Sequence, residues 1–336
     1  VLCRCTGYAK IVDAVMAARR ESEPCRSSSR GLSPGPKIDH SLDPGDKPRD
    51  DEIIGIVKNV GRAIPRLDGV PKVTGSEKFG ADIMPRNALR VLVIRSPHHH
   101  ARFRFGDIAG WRAANPGIEA VLTADDIPGV NAFGVIPAFQ DQPVFAVGVA
   151  RFRGEAVAAV VGESETIGAL DPAGFPVEWE PLPALLTPAQ ALEQGAPAVR
   201  GDKPDNVLVR GFVRRGDAAA GLAEAAHVVE RRLTTPFIEH AYIEPEAGHA
   251  VREGDRLTVF GCTQAPHMDK EALEAILGLQ SAQVRVLPSA CGGGFGSKLD
   301  LSFQPYIALA AWVTGKPAAI AYTRAESIVS TTKRHP

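Results

Sequence analysis

Residues 289–299 read SACGGGFGSKL: three consecutive glycines, a phenylalanine, a glycine and a lysine, directly after the strand-like AQVRVLP. Such a run lets a ligand come close to the main chain, and a strand, a bare turn and a helix in that order suggest peptide N–H groups aimed at an anion. Neither usual nucleotide pattern fits. A phosphate-binding loop needs lysine straight after its last glycine, and Ser297 separates Gly296 from Lys298. A dinucleotide fingerprint begun at Gly292 would need glycine at 297. A tight strand-to-helix turn is the plainer alternative, but Phe295 is an apolar ring that must pack on something. At the other end of the chain Cys3 and Cys5 stand one residue apart, with no cysteine partners nearby.

Other residues compete for attention. The run HHH at 98–100 has metal-ligand chemistry, and Glu239, His240, Glu244 and Glu246 crowd one short stretch. Each can equally be structural. Ser327 and His335 have no evident third member for a catalytic triad. Cys25, Cys262 and Cys291 read as structural thiols.

The elements that must hold these residues are legible from patterning. At 336 residues, with 44% apolar and 23% charged side chains, the chain has the profile of a soluble globular protein of two or three domains. The net charge of −1 gives no reason to expect nucleic acid or an anionic membrane surface as partner, and Arg95, Arg102 and Arg104 read as a solvated face. No apolar run reaches the length of a membrane span. Five cysteines, unevenly spaced, favour reduced thiols and a cytoplasmic setting.

Residues 9–20 predict an amphipathic helix, and the Ser/Pro/Gly-rich stretch from Glu21 to about Pro48 reads as a linker. Strands are expected over 89–96, 119–124, 155–164, 226–235 and 255–264, and again at AQVRVLP. HMDKEALEAILG predicts a helix with Asp269 as a cap and Gly278 as its stop, and YIALAAWVTG an apolar helix ending at Gly315.

Taken together, CGGGFGSK, CTQAPH (262–267), SPHHHARF, FRGEAVAAVV, EWEPLPA, IEPEAG and the closing KRHP resemble, in order, stretches of the molybdenum hydroxylases, the xanthine dehydrogenase and aldehyde oxidase family. The likeness covers most of residues 60–336. LCRCTGYAKIVDAV is similar to the end of that family's helical 2Fe–2S domain. The direct fusion, with a linker too short for a flavin domain, resembles the compact aldehyde oxidoreductases. The fold so implied is α+β: residues 1–20 a helical remnant of a 2Fe–2S domain, 21–60 a linker, 61–186 an α/β hammerhead domain, and 187–336 the first molybdopterin-binding domain, truncated.

The resemblance also implies roles. Cys3 and Cys5 match half of a 2Fe–2S ligand set. Gln264 matches the glutamine whose amide hydrogen-bonds an oxygen on molybdenum, and Gly294, Phe295 and Gly296 match the loop beside metal and pterin. The implied enzyme hydroxylates a small-molecule substrate, an aldehyde or an aromatic heterocycle, with water as the oxygen source. Its electrons leave through 2Fe–2S clusters. The related N-heterocycle dehydrogenases and aryl-CoA reductases, or a non-catalytic assembly module on the same scaffold, are the alternatives. Where purine-oxidising members carry glutamate after the loop lysine, this chain has Leu299 and then Asp300. The family's base glutamate is expected beyond Pro336, so this stretch is expected to be inactive by itself. The remaining partners implied are the rest of the same subunit, and a second copy or separate electron-transfer subunits.

Overall fold

A computed structural model of the protein describes residues 66–334. Cys3, Cys5 and Cys25, the helix expected over 9–20, the linker and His335 lie outside the described residues. The chain divides into two units, Val1–Glu77 and Lys78–Pro336. In the first, Gly69–Thr74 forms one short helix.

The second unit is α+β. Its strands are β1 (Leu89–Arg95), β2 (Ala101–Phe105), β3 (Ile118–Leu122), β4 (Val149–Ala150), β5 (Ala156–Gly162), β6 (Val177–Pro181), β7 (Ala247–Glu253), β8 (Arg256–Gly261), β9 (Val284–Pro288) and β10 (Ala318–Ala321). Seven make one sheet in the order β3-β5-β1-β10-β7-β8-β9, and β4-β2-β6 make a second. The large sheet is continuous across the middle of the sequence, because β1 runs parallel to β10 with Leu89 opposite Ala318. After β8 the chain forms three α-helices: α1 (Pro266–Leu277), α2 (Gln304–Thr314) and α3 (Arg324–Ser330).

Side-chain alternation decides the layers. Leu89, Val91 and Val93 of β1 join Val259, Leu273, Ile276, Ile307 and others in the core shared with α1 and α2. Ile94 lies on the opposite face, in a second core with Phe103, Val157, Val160 and Phe175. β5, AVAAVVG, is buried at every position, as a strand covered on both faces must be. α2 is buried from Gln304 to Ala311, so an apolar sequence on all sides is what its position requires.

Three expectations need correction. Residues 226–235 form no strand and are exposed throughout; alternating residues cannot hold a strand without an edge to pair with, and nearby only Ile238 bridges, to Arg334. Asp269 does not cap α1. Ala265 is the capping residue, and Asp269 lies buried in the first turn; Gly278 does end the helix in the left-handed conformation. Finally, Arg95 is not part of a solvated face. It continues the Leu89–Val91–Val93 side of β1, donates to the Gly154 carbonyl (3.0 Å) and Tyr322 Oη (2.8 Å), and lies over the Tyr322 ring. Arg102 and Arg104 are exposed as expected, paired with Glu180 and Glu178.

Candidate functional site

β8 and β9 are parallel neighbours, with Gly261 opposite Pro288. The segments that come after them therefore leave the same edge of the sheet, the carboxyl ends of two parallel strands, where open sheets commonly present ligand-binding loops. β8 delivers Cys262, Thr263 and Gln264; β9 delivers the glycine run. Ser289 N–H donates to Gly261 O at 3.0 Å and starts the two segments side by side.

Gln264 and the turn meet directly. Gln264 N–H donates to the Lys298 carbonyl at 2.9 Å, and Gly296 N–H donates to Gln264 Oε1 at 3.1 Å. Since a peptide N–H needs an acceptor, that bond assigns the amide oxygen inward and turns Nε2 away as a donor. Among the described residues nothing accepts from Nε2, nor from the N–H groups of Gly293, Gly294 and Phe295. The side chain lies so close across the turn that a Cβ on Gly294 would stand 2.4 Å from Gln264 Oε1. Phe295 has φ +52, which is rare for a bulky residue and marks a backbone held by its surroundings. Its ring is 51% exposed. The result is a surface of hydrogen-bond donors, one carboxamide and three peptides, carrying no negative charge of its own.

Sequence reasoning missed what lies beneath. Lys298 has a side chain only 2% exposed and is paired with Glu244 at 2.9 Å. Tyr242, also buried, lies against Gly293 and under the Lys298 ammonium. The signal was available in IEPEAG: Glu244, an acidic residue three positions before a strand buried from its first residue, Ala247, has to be satisfied by something. Glu246 of the same stretch accepts from Tyr242 Oη, and Glu239 pairs with Lys333 at 2.7 Å. His98 meets the edge of Trp179, and His100 Nδ1 is 2.8 Å from Pro183 O. Burial pushes the Cys262 thiol up to about 12, which makes it inert. The cavity of about 330 Å³ lined by Leu185, Leu186, Val199, Lys203 and Asn206 is formed by other segments than the turn.

Two acids flank the site. Asp269 accepts from Gln304 Nε2 at 3.2 Å, and burial pushes it up to about 7; burial likewise pushes Asp300 up to about 6. A carboxyl that keeps its proton in the folded state while the unfolded chain releases it near 4 destabilises the fold as pH rises. Stability should therefore fall between about pH 4 and 7, with Asp269 contributing on the order of 4 kcal/mol. Asp269→Asn is expected to flatten that fall. Urea midpoints at pH 5 and pH 8 check it: the substitution should stabilise the protein more at pH 8.

Residues 74–183 match the aldehyde oxidase and xanthine dehydrogenase a/b hammerhead domain, and residues 199–336 match the molybdopterin cofactor-binding domain. The two matches thus define a molybdopterin-binding domain preceded by an a/b hammerhead domain. The chain belongs to the molybdenum hydroxylase family of xanthine dehydrogenases and aldehyde oxidases. It is 36% identical over 280 residues to the nicotinate dehydrogenase large molybdopterin subunit of Eubacterium barkeri, covering 82% of this chain and 64% of that one. It is also 36% identical over 273 residues to a probable xanthine dehydrogenase subunit of Bacillus subtilis, 81% of this chain and 36% of the relative. Among solved structures, the aldehyde oxidoreductase of Desulfovibrio gigas superposes with a TM-score of 0.74 at 26% identity, covering 80% of this chain and 31% of that one. The chain thus spans less than two thirds of each of these relatives.

Proposed function

We propose that Gln264 and the turn Gly294–Phe295–Gly296 hold a molybdenum–pterin group, in a hydroxylase acting on an aldehyde or an apolar aromatic heterocycle. The observation that carries this reading is the Gly296–Gln264 bond, which leaves a neutral carboxamide donor beside three unengaged peptide N–H groups. These donors fit a group rich in oxygen and sulfur acceptors and are held in place before it arrives. When bound, molybdenum–pterin supplies a two-electron oxidation with water as the oxygen source. The chain's own part is to bind and orient. Gln264 Nε2 would donate to an oxygen of the group, which would stabilise charge there by about 1.5–3 kcal/mol without adding a titrating proton. The glycines admit it to the main chain, and the Phe295 ring covers one side against water. Cys3 and Cys5 would supply half the ligands of a 2Fe–2S cluster, which would serve as a one-electron carrier.

Substrate choice rests on Leu299. It stands where the purine-oxidising pattern has glutamate, and an isobutyl group offers no hydrogen bond to a purine edge. The names of the relatives, a nicotinate dehydrogenase and an aldehyde oxidoreductase, accord with an aromatic heterocycle or an aldehyde.

Protein made in a host that synthesises the pterin is expected to purify with molybdenum and a fluorescent oxidised pterin in near-equal amounts. Gln264→Glu, which swaps the donor for an anion, should lower both by about 10–100-fold. Wild-type protein without molybdenum and pterin, or a Gln264→Glu variant as fully loaded as wild type, would overturn the proposal.

A further inference from the structure

Glu244 makes more polar contacts than a surface carboxylate has any use for. Its Oε2 accepts from Gly292 N–H at 2.7 Å and from Lys298 Nζ at 2.9 Å, and its Oε1 accepts from Gly80 N–H at 3.2 Å. Its main chain takes part as well, the carbonyl accepting from Lys298 Nζ at 2.9 Å and the N–H donating to Gly292 O at 3.3 Å. One oxygen therefore holds both ends of the glycine run, Gly292 where it begins and Lys298 where it closes. Lys298 passes the restraint on, because its carbonyl is the acceptor of Gln264 N–H. The ammonium also stands 4.7 Å from the centroid of the Tyr242 ring, and Tyr242 Cβ would be 2.9 Å from a Cβ on Gly293. Gln264 is thus tied to this buried ion pair by one hydrogen bond and Gly296 by two.

The geometry points to Glu244 and Lys298 as positioning residues for the cofactor turn, fixing the distance between Gln264 and the peptides of Gly294–Gly296. The inference rests on the proposed cofactor site and extends it to residues that act through the turn. A loop of this length made largely of glycine has a high conformational entropy when free, so its donors converge only if its ends are pinned. A buried pair that bonds main-chain groups on each side is suited to that, and its worth lies in geometry more than in stability.

The test uses the protein made in a pterin-synthesising host and residue-resolved amide hydrogen exchange. In the wild type, Gly292 and Gln264 amides should be protected like those of α1, while Gly293, Gly294 and Phe295 exchange freely in protein stripped of cofactor. A Gly292 amide as fast as Gly293 overturns the clamp. Glu244→Gln keeps the shape and one acceptor but removes the charge. Glu244→Gln with Lys298→Met removes both charges, so that no lone buried ion is left to unfold the chain. In both, α1 amides should keep their protection, Gly292 and Gln264 exchange at least about tenfold faster, and molybdenum and pterin content fall together. Folded variants with unchanged exchange at Gly292 and Gln264 and unchanged cofactor content refute the proposal. A wild type that carries no pterin sinks the cofactor reading instead, and the exchange pattern still decides whether the clamp exists.

Discussion

Gly294→Ala is expected to cost the protein its bound molybdenum and pterin, at least about tenfold, while its thermal unfolding moves by no more than about 1 kcal/mol. The two outcomes separate because of what the new methyl meets. Gly294 is outside the left-handed region, so alanine can adopt its backbone, but the Cβ would be 2.4 Å from Gln264 Oε1 and 2.7 Å from Cδ. The obstacle is the end of a flexible side chain, which rotates away at small cost. Rotation breaks the bond to Gly296 N–H and swings Nε2 from its direction, and a displacement of about 1 Å at a positioned donor suffices to undo its use. Metal and pterin analysis beside a melting curve checks both halves. A loaded Gly294→Ala protein would mean that the carboxamide is not where the cofactor needs it; an unfolded one would mean that the turn carries the fold.

The contrast between what the sequence made legible and what it did not tracks the range of the interactions. β5 could be recognised because an all-apolar run bounded by turn residues has few other uses, and α2 because eleven apolar-rich residues end at a glycine. Gln264 and Gly294 could be paired through their place in two adjoining motifs, and parallel strands then supplied the proximity. The Glu244–Lys298 pair stayed hidden because its partners are 54 positions apart: IEPEAG signals an acid in need of a partner but does not say which residue supplies it. Arg95 misled for a related reason: charge suggested solvent, whereas its register on β1 placed it on the core face with Tyr306 and Tyr322. Residues 226–235 misled in the opposite sense. Their alternation describes a strand's two faces, yet pairing is a property of the neighbouring edge and not of the segment.

The largest loss of stability is expected from Gly248→Ala, on the order of 3 kcal/mol or more. Gly248 of β7 and Gly261 of β8 face each other in register, and the Phe303 ring, 1% exposed, rests on both. A Cβ at Gly248 would stand 2.3 Å from the Phe260 carbonyl oxygen and 2.5 Å from Phe303 Cε2; one at Gly261 would stand 2.5 Å from Phe303 Cζ and 2.8 Å from the Ala247 carbonyl oxygen. The two positions therefore differ in what can yield. At Gly261 the nearest obstacle is a ring, so combining Gly261→Ala with Phe303→Leu should cost at least about 1 kcal/mol less than the sum of the single changes. At Gly248 the nearest obstacle is main chain, and Phe303→Leu should rescue little. Urea denaturation of the two double-mutant cycles measures both couplings, and equal rescue at the two glycines would contradict the socket. The socket matters to the site because Phe303 leads into α2, whose first residue Gln304 holds Asp269. Gly248 lies four residues after Glu244, and Gly261 three before Gln264. Unlike Gly294→Ala, Gly248→Ala should thus lose cofactor and fold in the same titration.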